Sequence, residues 1–194
     1  MPGRTLEIRT PSQWEAITSP LRAELIELLG ARDPASVGEL AEALGRPADR
    51  LYHHVHLLEE AGLIEVAGHR PTQRRPEALY RLVANDFRLG DPDGPLPADE
   101  LKRLQRTHGR RAERVFAEAV DAQAFRWGEE PRRAHMRSDT AHLSKDDLAA
   151  VQEHLAAVRE IFARARPSTE GDLVSLTVTM APVVGRDLPS PRKS

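Results

Sequence analysis

The stretch from Ser36 to Ile64 constrains this chain most, because its helix starts, stops and apolar spacings all interlock. Ser36 and Glu39 stand at capping-box spacing, in which two side chains satisfy orphan N–H groups at a helix start. Val37, Leu40, Ala41 and Leu44 follow at i, i+3, i+4 and i+7, a single apolar stripe. Gly45 sits where a helix takes a left-handed residue to stop. Pro47 falls at or beside the first turn of a second helix, where its missing N–H costs little. Leu51, Val55 and Leu58 make the second stripe, and Gly62 ends it. Upstream, Ser19-Pro20 opens another helix, with Leu21, Leu25, Leu28 and Leu29 inward and Gly30 as its stop. Facing stripes on three short helices predict a trihelical core containing a helix-turn-helix.

Two strands should follow. Leu63 to Ala67 is apolar and partly β-branched, and Glu77 to Val83 places Ala78, Tyr80 and Leu82 on one side. Between them, residues 69–76 form a polar, proline-bounded loop carrying Arg70, Arg74 and Arg75 and no acid. The second helix of the pair carries Arg50, Tyr52, His53 and His56 opposite its apolar stripe. A helix of that size fits the DNA major groove, where such side chains reach base edges. A basic hairpin tip beside it is placed for phosphates or the minor groove.

Residues 19–83 resemble the winged helix-turn-helix domain of ArsR-type bacterial transcriptional regulators, in a larger form with an extended C-terminal half. The cues are Ser19-Pro20-Leu21-Arg22, then Gly38 through Gly45, then Tyr52-His53-His54-Val55-His56 running on to Gly62-Leu63-Ile64. The resemblance covers about a third of the chain. It implies a homodimer that binds a pseudo-palindromic operator in double-stranded DNA and represses it. The chain departs from the family in one respect. Members that sense arsenicals or soft metals use cysteine thiolates, and this sequence has no cysteine. No cofactor and no metal site is therefore expected, and the identity of any small-molecule effector is left open.

Breakers divide the remainder. Residues 1–84 are read as the winged DNA-binding domain and 85–98, rich in Gly, Asp and Pro, as a linker. Residues 99–184 form a helical dimerisation and regulatory region, and 185–194 a disordered tail. Leu101, Leu104, His108, Ala112, Val115, Ala119 and Ala122 mark a long helix from Asp99 to about Phe125. Ser144 caps a further helix whose Leu148, Val151, Leu155, Val158 and Phe162 are spaced 3, 4, 3, 4. That heptad seam is the expected dimer interface. Leu173 to Val184 alternates apolar and polar residues and is expected to be a closing strand with one face buried. The predicted class is therefore α+β, mostly helical: an N-terminal winged helix-turn-helix, a helical dimerisation region and a closing strand.

Several features allow two readings. Arg103, Arg106, Arg110 and Arg114 share a helix face, with Lys102 and Arg111 beside them. They could touch DNA backbone, but a solvated face, or one paired with acids such as Glu118, is the commoner outcome. His53 and His56 lie at i and i+3, yet two imidazoles are too few for a closed tetrahedral metal site. Asp139, His142 and His154 form only a loose Asp/His set. Trp14, Phe125 and Trp127 read as core residues rather than a ligand cage.

Charge and composition narrow the function. The net charge is −2, so DNA binding must rest on local clusters rather than bulk basicity. No apolar run approaches the ~20 residues of a membrane span, and no signal-peptide pattern opens the chain, so a cytoplasmic location without membrane contact is expected. No phosphate-binding glycine loop, G-x-S-x-G elbow or H-E-x-x-H motif is present, and an enzyme is not expected. Sequence-specific DNA binding in transcription control is the primary reading. A winged-helix protein-interaction adaptor without DNA binding is the alternative, and the near-neutral charge favours it.

Overall fold

The computed structural model describes residues 4–72, 75–90, 94, 97–126, 128–166 and 170–185. It opens with strand β1 (Thr5–Ile8) and helix α1 (Pro11–Thr18). Thr10 and Gln13 form a capping box at the start of α1. Next come α2 (Pro20–Ala31), the short strand β2 (Ala35–Ser36), α3 (Val37–Leu44) and α4 (Asp49–Glu60). The Ser36 hydroxyl accepts from Glu39 N at 3.2 Å, and Ser36 N donates to Glu39 Oε2 at 2.8 Å, so the predicted capping box is formed. Gly45 closes α3 at φ 59° and ψ 33°, a left-handed cap that donates to the Ala41 and Glu42 carbonyls.

The hairpin is built from β3 (Ile64–Arg70) and β4 (Glu77–Leu82), antiparallel, with Ile64 opposite Leu82 and Arg70 opposite Glu77. The first strand runs further than its apolar residues suggest. His69 and Arg70, expected in the loop, pair with Ala78 and Glu77 across a bulge between Val66 and Gly68. β2 adds to the other side of β4, giving the order β2-β4-β3. This is a winged helix-turn-helix, in a chain that is α+β and mostly helical.

The core lies where the three stripes meet. Leu25, Leu29, Leu40, Leu51, Val55, Leu58, Leu63 and Ile64 are all buried, with Ile8, Trp14 and Ile17 sealing one side. Each fully buried side chain of this size contributes roughly 1.5–3 kcal/mol against exposure, so the stripe residues, not propensity, hold these short helices.

Two expectations change. The presumed linker begins with a strand, β5 (Asp86–Leu89), which pairs in parallel with β1 from Thr5↔Asp86 to Ile8↔Leu89. The reason is packing: Phe87 and Leu6 both rest against the main core, which Gly, Asp and Pro content cannot foreshadow. The predicted closing strand at 173–184 is not formed among the described residues. Those residues join neither sheet, and Val174, Leu176, Val178 and Met180 stay about half exposed. Alternation alone does not make a strand without a neighbouring edge to bond.

Helix α5 (Ala98–Asp121) starts against the winged domain. Leu101 and Leu104 pack on the core, and Thr107 Oγ1 donates to Thr18 O at 2.9 Å. Farther along it is exposed, with Phe116 and Val120 open to solvent. Helix α6 (Lys145–Ala165) is capped by Ser144 and Asp147 as a full capping box and buries none of its residues. Its C-terminal part is tied to β5, where Arg159 pairs with Asp86 and Arg166 donates to Asn85 O at 3.2 Å. Of the expected disordered tail at 185–194, residues 186–194 lie outside the described residues, as does Trp127.

Candidate nucleic-acid interface

The inward turn of Leu51, Val55 and Leu58 decides which residues α4 presents. All three are buried, and Arg50, Tyr52, His53 and His56 are left exposed, Tyr52 at 60%. The Arg50 guanidinium has no hydrogen bond or ion pair with the described residues. His56 is less free: its Nε2 lies 3.2 Å from Glu60 Oε1, and its Nδ1 4.0 Å from Glu59 Oε2. Those acids lie one turn on along the helix, so His56 is tethered when protonated.

His54 lies between the exposed and buried faces. Its ring sits 5.7 Å from that of His53, and its Nδ1 is buried without a hydrogen-bond partner among the described residues. Burial holds its imidazole below the usual histidine range, and the charges of Arg22, His53 and Arg46 add to the effect. Arg46 is exposed in the turn between α3 and α4, a cation that no stripe or cap singles out in the sequence.

The wing is tied to the helix pair by a bridge that spacing alone could not reveal. Arg70 Nη1 donates to Glu39 Oε1 at 3.0 Å and lies 4.0 Å from Glu77 Oε2. Glu39 thereby serves α3 and the wing together. Its carboxyl is lowered first by the Ser36 N–H and further by Arg70. Arg70 is thus an anchored cation. In the hairpin loop, Thr72 Oγ1 donates to Arg75 O at 2.6 Å and accepts from Arg75 N at 3.3 Å, fixing the Arg75 backbone with its side chain exposed. Arg74 lies outside the described residues.

The arginine face of α5 divides in two. Arg111 pairs with Glu27, and Arg114 with Glu24 and, at 3.8 Å, with Glu118. His108 Nδ1 approaches Glu27 Oε1 at 3.8 Å. These groups fasten α5 to α2. Arg103, Arg106 and Arg110 stay exposed, with no ion pair among the described residues. A buried arginine was not anticipated: Arg22 donates to the Glu15 carbonyl at 2.7 Å and the Ala16 carbonyl at 3.3 Å, tying α2 to the end of α1.

The heptad residues lie together on one side of α6. Val151, Leu155, Val158 and Phe162 are half-buried, and Leu148 is exposed at 39%. Phe125 is half-buried, its ring 6.1 Å from that of Phe116, and Trp14 is in the core. Among the described residues no three His, Asp or Glu side chains converge as a metal site. Asp139 instead receives Arg137 Nε at 2.6 Å.

Comparison with known proteins bears on the first part of this arrangement. A family model described as a helix-turn-helix domain matches residues 17–67, from the end of α1 into the first wing strand. No curated protein matches the chain. Among solved structures, an apo mutant of Lactococcus lactis ZitR is similar at 14% identity, over 76% of this chain and 85% of that one, with a TM-score of 0.28. At that identity and score the likeness decides neither fold nor function.

Proposed function

We propose that this chain is a sequence-specific DNA-binding transcriptional regulator of ArsR-like type, acting as a homodimeric repressor at a pseudo-palindromic operator in the cytoplasm. The observation that carries the proposal is the exposed face of α4. A helix-turn-helix second helix whose apolar stripe is buried and whose Arg50, Tyr52, His53 and His56 are open has the form of a major-groove reader. Arg75 and Arg74 on the wing would contact phosphate or a narrow minor groove, with Arg70 held at the wing base by Glu39. The seam of Leu148, Val151, Leu155, Val158 and Phe162, none of it fully buried in the single chain, supports pairing of two copies through α6.

A winged-helix adaptor for protein partners is the second reading. It is favoured by the acids around the basic groups: Glu59 and Glu60 beside His56, Glu39 and Glu77 beside Arg70. Binding to random duplex DNA across a salt series separates the two. A DNA reader shows affinity falling steeply with salt, with a log–log slope near −0.9 per phosphate neutralised, on the order of several phosphates. An adaptor shows no such binding at any salt concentration.

A further inference from the structure

Val174, Leu176, Val178 and Met180 alternate with Ser175, Thr177, Thr179 and Ala181, the two-residue period of a strand with one apolar face. In the single chain the segment runs without turn or bend and joins neither sheet. Its four apolar residues are 46, 53, 54 and 51% exposed. We infer that residues 173–181 form an intermolecular strand, two copies of this chain pairing these segments antiparallel across a two-fold axis. The inference rests on the dimer proposed above and adds a second element to its interface.

Three features of the segment point to a second copy as its partner. A row of free N–H and C=O groups on an alternating segment is satisfied most directly by another strand. Across a two-fold axis a segment meets itself running in the opposite direction, so homotypic pairing is antiparallel and closed. Centred on Thr177, this pairing sets Val174 opposite Met180, Leu176 opposite Val178, Ser175 opposite Thr179 and Thr177 opposite itself. Apolar residues then meet apolar ones on one face, and on the other hydroxyls meet around the axis with Leu173 opposite Ala181 at the ends, all of them matched cross-strand pairs. No charged residue lies between Leu173 and Val184. Self-pairing therefore meets no like-charge repulsion, and the guarding charges of a permanently solvated edge are missing. Pro182 has no N–H to donate and ends the ladder, leaving 173–181, whose midpoint is Thr177.

The chain has no cysteine, so single-cysteine variants report the register directly. Thr177→Cys, Ser175→Cys and Thr179→Cys, each in the full chain, are sedimented, mildly oxidised and run on non-reducing gels. At the axis the two copies of residue 177 lie ~5 Å apart, whereas copies of 175 or of 179 lie ~14 Å apart. Only the shorter separation suits a disulfide. The expected result is a linked dimer from Thr177→Cys in several-fold excess over the other two. Leu176→Pro should weaken the dimer at least about tenfold, without moving the unfolding midpoint of the winged domain. A sample that sediments as a dimer but does not link at 177 overturns the strand pairing and leaves the dimer standing. Equal linking at all three positions also overturns it. A monomer in which amides 173–181 resist exchange means pairing within one chain and overturns it too. An unprotected monomer overturns strand and dimer together.

Discussion

Arg50 is the side chain on which base reading should turn. Its guanidinium is exposed on α4 and engages no described residue, so it is available to a guanine O6/N7 edge. Arg50→Ala is expected to weaken specific binding by roughly 1–3 kcal/mol and to relax preference at one base pair of each half-site. Competition between operator and single-base variants measures both effects, and intact preference in the mutant would remove Arg50 from the reading face. His54 has a different part. Its buried, unpartnered Nδ1 and lowered proton affinity mean that the folded chain binds fewer protons there than the unfolded chain. The stability associated with neutral His54 is therefore complete above the unfolded histidine value of about 6.5. It declines as pH falls from that value toward the lower folded one. Arg22, His53 and Arg46 oppose its protonation from nearby, in the same direction as burial. Denaturant midpoints measured from pH 8 to 5 should fall less steeply for His54→Phe than for the wild type, and identical slopes would count against the assignment.

Helix starts in this chain are set by short side-chain contacts, and α3 is the clearest case. Ser36 is buried, and its hydroxyl and N–H both serve the Glu39 capping box. Ser36→Ala should destabilise the winged domain by about 1 kcal/mol, within the usual range for removal of an N-cap. Glu39→Gln should cost less at the helix start, because an amide oxygen still accepts from Ser36 N, but it removes the charge that holds Arg70 at the base of the wing. Helix α6 offers the sharper test. It buries no residue, and Arg159 and Arg166 tie it to the winged domain. Leu155→Asp should therefore leave the winged domain folded while yielding a monomer that binds its operator much more weakly. Light scattering and circular dichroism together read the result. General unfolding of that variant would instead mean that the seam is packed within one chain.

For the molecule as a whole, a net charge of −2 means that affinity for DNA must come from where its cations sit. In the proposed complex part of that affinity comes from Arg74 and Arg75 of the wing sequence. Replacing both with alanine should weaken binding to every sequence alike. The slope of log affinity against log salt should become shallower by about one for each phosphate that a subunit no longer neutralises. An unchanged slope would mean a wing that stands clear of DNA. A two-fold dimer would present two α4 helices to half-sites about one DNA turn, or a multiple of it, apart. Arg111 and Arg114 fasten α5 to α2, so α5 is held to the winged domain past its midpoint.

The local devices are legible from residue spacing: the Ser36–Glu39 and Ser144 caps, the Gly45 stop, the buried stripe of Leu51, Val55 and Leu58, and hence the exposure of Arg50, Tyr52, His53 and His56. Each depends on residues within about two helical turns of one another, where spacing and burial are directly linked. The remaining features depend on contacts between segments distant in the chain. The β1–β5 pair joins the start of the winged domain to the segment that follows it, and Arg70–Glu39, Arg111–Glu27 and Arg114–Glu24 join groups far apart in the chain. The segment at 173–184 marks the same boundary from the other side. Its alternation is a local property, but a strand exists only where a neighbour supplies hydrogen bonds, and neither sheet among the described residues supplies any.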